Sequence, residues 1–388
     1  MDSRIADNLD GVPTANWNEL IGAKGPFTRY EFLRALETSG SVGGQSGWQP
    51  SYVLVEQQGT LIGALPLYRK YHSYGEFVFD WAWARAYAQH AVPYYPKLVV
   101  GIPFTPATGP RLLIAPGTDR QRVTAALIDG VRSVADRDNL SSIHWLFTNA
   151  ADTALLETHG FKRRVGCQFH WRNDGYRDFD DYLATFSSAK RKKIRRERRH
   201  VTESGISIEL YRGVDIEPAH WEAMYGFYRR TVDTHGAIPY LTRQFFTTIG
   251  DTMAPQIVMV LAREANEYIA GALNFVGPDT LYGRYWGSHR YVNGLHFEVC
   301  YYRAIEYCIT QGLARFEAGA QGEHKIARGF APTATYSAHW LRQPEFADAI
   351  EQYLVRERQD MHEYIDELSE HLPFKETSTV TIRTVVQD

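Results

Sequence analysis

Cysteine is scarce: Cys167, Cys300 and Cys308 are the three in 388 residues. No two of them stand at the spacing of a metal knuckle or a redox dithiol, which argues against a disulfide framework and for a reducing compartment. If Cys300 and Cys308 share a helix, eight residues separate them by roughly 12 Å, too far to bridge. Also missing are a run of eighteen apolar residues, an apolar core in the N-terminal MDSRIADNLDGVP, a His-x-x-x-His spacing, a Gly-x-Ser-x-Gly elbow and a P-loop. These gaps argue against a membrane span, a secretory leader, a serine-hydrolase nucleophile and P-loop phosphate binding, and they leave no motif for a metal. A cytoplasmic protein without metal is expected. Charge of one sign is not in excess either, with a formal net charge of −3, so a general affinity for DNA or membrane is not implied.

What is present is a local concentration of charge. In SSAKRKKIRRERRHV, residues 187 to 201, every position from Lys190 to Arg199 except Ile194 and Glu197 is Lys or Arg. The stretch carries about +7 and the remainder of the chain about −10. On a helical wheel Ile194 and Val201 form one narrow apolar stripe, so such a helix stays at the surface. Glu197 is four residues from Lys193, which offers local relief. Two readings stand: an anion-binding face of Arg191, Lys192, Arg195, Arg196 and Arg199 for phosphates or lipid head groups, or a solvated helix paired with Asp178, Asp180 and Asp181.

A chain of this length suggests two domains, and a weak internal repeat supports them. YVLVEQQGTLIGALPLY (52 to 68) and IVMVLAREANEYIAGALNFV (257 to 276) each read as a β-hairpin with a Gly-Ala-Leu second strand, apolar on both faces. Helical stretches precede each hairpin (RYEFLRALETSG; WEAMYGFYRRTVDTHG and TRQFFTTIGDTM). A helix and a short strand follow each (RVTAALIDGVRSVADRD and SSIHWLF; HFEVCYYRAIEYCITQG and ARFEAGA). Two α/β domains are expected, residues 1 to 175 and 176 to 388. The second begins with the basic helix and ends in a long amphipathic helix from EFADAIEQYL, before a KETSTVTIRTVVQD strand or loose tail.

The strings GWQPSYVLV, YYPKLVVGIPFTPATGPRLL, RKKIRRERR, LYGRYWG, LHFEVCYYRAIEYCI and FEAGAQGEHKIARGFAPT, spread over about residues 30 to 355, resemble the FemAB-like proteins of peptidoglycan biosynthesis or recognition. The resemblance implies two tandem GNAT-like domains, each a mixed central sheet flanked by helices. It implies an acyl- or aminoacyl-transferase with no tightly bound cofactor and an activated acyl co-substrate. Neither WGSHRYVNGLHFEVC nor YHSYGEFVFDWAW has the [Arg/Gln]-x-x-Gly-x-[Gly/Ala] loop of acyl-CoA users. Acyl-CoA, aminoacyl-tRNA and an acyl carrier therefore all stay open as donors, with tRNA a possible partner.

Acyl transfer to an amine needs a base, oxyanion donors and often an acid. The densest polar stretch is FEAGAQGEHKIARGF (316 to 330), where Gly319 and Gly322 follow a short strand. Glu323 or His324 is the candidate base, and Lys325 or Arg328 would neutralise a phosphate or carboxylate, with Glu317 and Gln321 beside them. A capped polar loop is the alternative. In GRYWGSHRYVNGLHFEVC, Asn293-Gly294 marks a turn into a helix from about Leu295. Its apolar face is Phe297, Cys300, Tyr301, Ala304, Cys308 and Ile309, with His296 opposite. Glu298 sits in the first turn, as a catalytic carboxylate or a helix-dipole partner. Arg284 and Tyr285 precede it as substrate contacts or ordinary strand residues. In the first domain, Lys70, His72, Glu76, Tyr95 and Lys97 lie among aromatics, either as an acceptor pocket or as a core of amphipathic rings. The proline-rich PFTPATGPR adds Thr105 and Arg111. The reaction expected is transfer of an activated acyl group onto an amine of a small molecule or cell-wall precursor. The alternative is a binding module for such a precursor or for RNA.

Overall fold

The computed structural model describes residues 1–22, 25–234, 236, 238–320 and 322–375. Elements run in the order β1 (Asp2–Ala6), α1 (Thr14–Ile21), α2 (Tyr30–Thr38), β2 (Trp48–Pro50), β3 (Tyr52–Gln57), β4 (Thr60–Leu65), β5 (Leu67–Lys70), α3 (Trp81–Gln89), β6 (Lys97–Val100), β7 (Leu113–Ile114), α4 (Arg120–Arg137), β8 (Ser142–Thr148), α5 (Ala150–Thr158) and β9 (Lys162–Arg172). There follow α6 (Phe179–Ala184), α7 (Ser188–Glu203), β10 (Ile206–Arg212), α8 (Pro218–Thr234), α9 (Arg243–Thr252), β11 (Ile257–Glu264), β12 (Glu267–Val276), β13 (Thr280–Ser288), α10 (Leu295–Phe297), a π turn (Glu298–Tyr302), α11 (Arg303–Gln311), β14 (Arg315–Glu317), β15 (Ala331–Leu341) and α12 (Pro344–Ser369). The chain forms two compact units: Met1–Gly166 with Tyr240–Ile249 and Ala334–Glu363, and Cys167–Pro239 with Gly250–Thr333 and residues from Tyr364 onward.

In the first unit β1-β3-β4-β7 make one sheet, and β15-β8-β6-β5-β2 run side by side in another, with β6 parallel to β8. The core joins Val53, Val55, Leu65, Val100, Ile143 and Trp145 from the strands to Val123, Leu127 and Val131 of α4. Apolar residues at three- and four-residue spacing give α4 the face that covers the sheet, at about 1.5–3 kcal/mol per buried aliphatic side chain.

In the second unit β10-β11-β12-β13 form an antiparallel meander, β13 runs parallel to β14, and β14 pairs with the last residues of β9. Phe169, Trp171, Leu281 and Phe316 of these strands meet Tyr302, Ile305 and Cys308 of the helix after β13. Both units are α/β, with mixed strands flanked by helices.

The two Gly-Ala-Leu hairpins share a register. Val53, Leu54 and Val55 pair with Leu65, Ala64 and Gly63, while Met259, Val260 and Leu261 pair with Leu273, Ala272 and Gly271. Both glycines are fixed by a close approach. A Cβ on Gly63 would lie 2.6 Å from Val123 of α4, and one on Gly271 2.7 Å from Leu261 and 3.0 Å from Phe227 of α8. The C-terminal tail expected as a strand or loose tail lies outside the described residues, apart from Lys375. No helix among the described residues is long and apolar enough to cross a membrane.

Candidate functional site

In the second unit β13 and β14 pair in parallel over Thr280–Tyr282 and Arg315–Glu317, and β14 then stops. Ligands of α/β sheets gather beyond the carboxyl ends of such strands. Here the chain leaves Glu317 through Gly319 (φ 85°) and Gly322 (φ 111°) into a tight 3-10 turn, Glu323–Arg328. Both glycines hold a left-handed backbone that side chains resist, and a Cβ on Gly322 would run into the His324 ring. The sequence thus turns sharply enough to bring His324 Nε2 within 2.9 Å of the Tyr301 hydroxyl.

Tyr301 comes from the π turn after Gly294. That turn corrects the expectation for His296, which a continuous helix would place away from the core. The π turn adds a residue and shifts the phase of the helix, and His296 packs half-buried against Trp286, Tyr301 and His324, with ring centroids at 5.0, 5.2 and 5.8 Å. Burial, then the charges of His324 and Arg328, pushes the His296 imidazole down to about 4. Burial, then Lys325 and Arg328, also lowers His324, so its base form prevails at neutral pH.

The cations of the turn are held in place. Arg328 stacks 3.2 Å over the Phe297 ring and donates to both Glu197 oxygens at 3.1 and 3.2 Å and to the His324 carbonyl at 2.8 Å. Lys325 is buried, donates to the Gly319 carbonyl at 2.8 Å, and is brought by burial down to about 8. Glu323 accepts from the Tyr364 hydroxyl at 2.7 Å. Glu317 is buried on β14, opposite His170 of β9 and Tyr282 of β13. Arg284 lies over the neighbouring Tyr285 ring on β13. Gln321 lies outside the described residues.

Glu298 turns toward α7 instead of toward His324. It takes a bidentate pair from Arg198 at 2.9 and 3.0 Å and a further contact from Arg303 at 3.1 Å. Burial raises its carboxyl even so. Its geometry is that of a buried ion-pair centre, closer to the helix-stabilising reading than to the catalytic one.

The basic helix is therefore two-sided. Ile194 and Val201 are buried as expected, but Glu197 and Arg198 point inward with them. The sequence assigned Glu197 to Lys193, yet its carboxylate serves Arg328 and the Tyr302 hydroxyl. Arg198 also reaches Glu306 at 2.6 Å and stacks on Phe179. Of the upstream acids, Asp180 pairs with Arg195 at 2.8 Å. Arg191 reaches the Phe186 carbonyl at 3.4 Å, while Lys192, Arg196 and Arg199 are exposed.

The first unit buries a second polar cluster. Lys70 of β5 and Lys97 of β6 are directly opposite in the antiparallel pair. Lys97 donates to Glu76 at 2.8 Å, to Ser73 at 2.9 Å and to Asp80. Burial alone would lower the Lys97 amine, but Glu76 and Asp80 outweigh it and hold it above its usual value. Burial pushes the Glu76 carboxyl up to about 7, whereas for Asp80 the Lys97 charge overcomes burial and brings the carboxyl down to about 2. Lys70 lies 3.9 Å over the Trp48 ring, donates to the Tyr74 carbonyl at 3.0 Å, and is lowered by burial to about 7. His72 sits 3.5 Å from the Lys70 amine, and Tyr95 bonds Ser73 at 2.7 Å. Asp80 continues the network through Tyr94 to His144, which bonds His339 at 2.7 Å.

Thr105 and Arg111 are both buried. Thr105 bonds the Pro103 carbonyl, and Arg111 staples its own loop by donating to the Ala107 and Leu146 carbonyls at 2.7 and 2.9 Å. A proline-rich loop leaves carbonyls without helix or sheet partners, and the buried guanidinium satisfies them. Residue chemistry in the sequence missed Tyr301, Glu197 and Tyr364; for Glu197 and Arg198 the wheel itself held the signal, since at 100° per residue the two flank the Ile194–Val201 stripe. No three His, Cys, Asp or Glu side chains converge as a metal site among the described residues.

No curated protein matches the chain significantly. Among solved structures it is similar to FemX (TM-score 0.55, 11% identity, covering 90% of this chain and 100% of that one). It is also similar to the C-terminal domain of a putative lysylphosphatidylglycerol synthetase from Agrobacterium fabrum (TM-score 0.53, 8% identity, 87% and 94% covered) and to L-PGS from Bacillus licheniformis (TM-score 0.50, 9% identity, 90% and 97% covered). At such identities the likeness speaks for the fold. A family model matches residues 8–376, and with nearly the whole chain inside it the protein belongs to the FemAB-like family of peptidoglycan biosynthesis/recognition.

Proposed function

We propose that the protein transfers an activated acyl or aminoacyl group onto an amine of a small molecule or cell-wall precursor, with the chemistry at the turn after β14. The observation that carries this reading is the His324–Tyr301 pair, set beyond the end of parallel strands and kept in its base form by burial and by Lys325 and Arg328. His324 takes the proton of the acceptor ammonium, the freed amine attacks the acyl carbon, and a C–N bond replaces the bond to the leaving group, which departs with a proton. Lys325 and Arg328 are the charges that would face a phosphate of the donor or acceptor. Glu323, tied to Tyr364, is the alternative base. The Lys70 cluster is a candidate binding site within the first unit, taken by itself. The FemAB-like family supports a cell-wall amine as acceptor, and FemX and the lysylphosphatidylglycerol synthetase domain support the transferase fold.

The test incubates the purified protein with acyl-CoAs, aminoacyl-tRNA or acyl carriers and candidate amines, and reads products by mass spectrometry. One donor class should give an amide product that His324→Ala abolishes. Binding of a precursor without turnover by any donor, unchanged in both His324→Ala and Glu323→Gln, would instead establish a binding module.

A further inference from the structure

The outward face of α7 takes no part in that chemistry. Ile194, Glu197, Arg198 and Val201 fix the inward side. At 100° per residue the opposite side carries Lys192, Arg196 and Arg199 in one row, flanked by Lys193 and Arg195, all exposed. The row extends about 10 Å along a helix about 24 Å long. Among the described residues, Lys192, Lys193, Arg196 and Arg199 have no carboxylate at ion-pair distance; Arg195 has Asp180.

We propose that this face of α7 docks the protein on an anionic lipid surface. The row is straight and its side chains are long and flexible, so their charged ends can reach one plane together. It has no aromatic on which a base could stack and no amide to read one, which leaves a nucleic acid with phosphate contacts alone. The rest of the chain is net acidic, so adhesion is confined to this face and the active turn keeps a fixed relation to the surface through Glu197 and Arg328. The proposal does not rest on the transfer reaction.

Co-sedimentation with vesicles tests it. Vesicles of equal parts phosphatidylglycerol and phosphatidylcholine should bind the protein, and pure phosphatidylcholine should not. Added salt should release it. At about fivefold per basic side chain, Lys192→Gln with Arg196→Gln and Arg199→Gln should weaken binding about a hundredfold, while the thermal melt of these exposed positions stays put. Absence of binding to the mixed vesicles overturns the proposal, as does equal binding by the triple variant. So does a duplex RNA that strips the protein from the mixed vesicles at matched phosphate concentration.

Discussion

The two Gly-Ala-Leu hairpins are the same local object in different surroundings. Each pairs the alanine and glycine of its second strand at equivalent places and admits a helix over the glycine. Beyond them the units diverge. After β4 the first unit breaks at Pro66, and β7 contributes two paired residues against Gly63 and Ala64. After β12 the second has the nine-residue β13, which outruns its parallel partner β14. The first unit fills its interior with a neutralised ionic cluster, whereas the second ends its parallel pair in a glycine turn that presents a histidine. A shared hairpin thus fixes the frame, and the chain downstream of the hairpin decides whether polar groups are locked inward or gathered in a turn beyond the strand ends.

That contrast can be broken experimentally. The largest effect is expected in the second unit: His324→Ala should lower transfer by about 10²–10⁴-fold, measured as initial rate with the donor identified by mass spectrometry, with little change in unfolding midpoint. The acid limb of the rate profile should lie below the usual histidine range, because the folded His324 is lowered. In the first unit the corresponding damage is to stability. Lys97→Met strands two buried carboxylates and should cost about 3–5 kcal/mol in urea unfolding. Gly63→Ala and Gly271→Ala should each cost about 1–3 kcal/mol by overpacking; a large difference between them would separate the hairpins.

The pH response sharpens the comparison further. His144 is lowered by burial to about 3. Its folded value lies below its unfolded one, so its contribution is present above the ordinary histidine pKa near 6.5 and is lost as pH falls from there toward about 3. Urea midpoints at stepped pH should therefore decline through that window, and His144→Asn should flatten the decline. The smallest effect is expected for Lys70. Burial lowers its folded amine to about 7, so below its unfolded pKa near 10.5 it opposes folding, increasingly down to about 7 and constantly thereafter. Lys70→Met should leave stability at pH 7 unchanged or raise it by about 1 kcal/mol in the same assay.

Much of the frame was legible because it is local. The hairpins announce themselves through period-two runs around a turn, and α2, α4 and α7 through apolar spacing that one helix face satisfies without outside help. The glycine turn at 319–322 was visible as residue chemistry. Its partners were not: Tyr301 is 23 residues from His324, and Glu197 is 131 from Arg328. Such pairings are decided by how strands and helices stack, which no spacing rule encodes. His296 failed for a different reason, since a wheel drawn at constant pitch cannot anticipate a π turn. Arg111 looked like a ligand contact and proved to be a loop staple, because a sequence shows the cation but not the carbonyls around it.

The π turn at Glu298–Tyr302 makes the length of this segment a constraint in its own right. Upstream, Leu295 and His296 obey one angular origin; downstream, Ala304 and Cys308 obey another, offset by about 100°. Deleting a single residue between them would restore an uninterrupted spiral and swing Tyr301 a quarter-turn away from His324, without altering any amino acid that touches the histidine. In this chain the count of residues, as much as their identity, sets the aim of the hydroxyl.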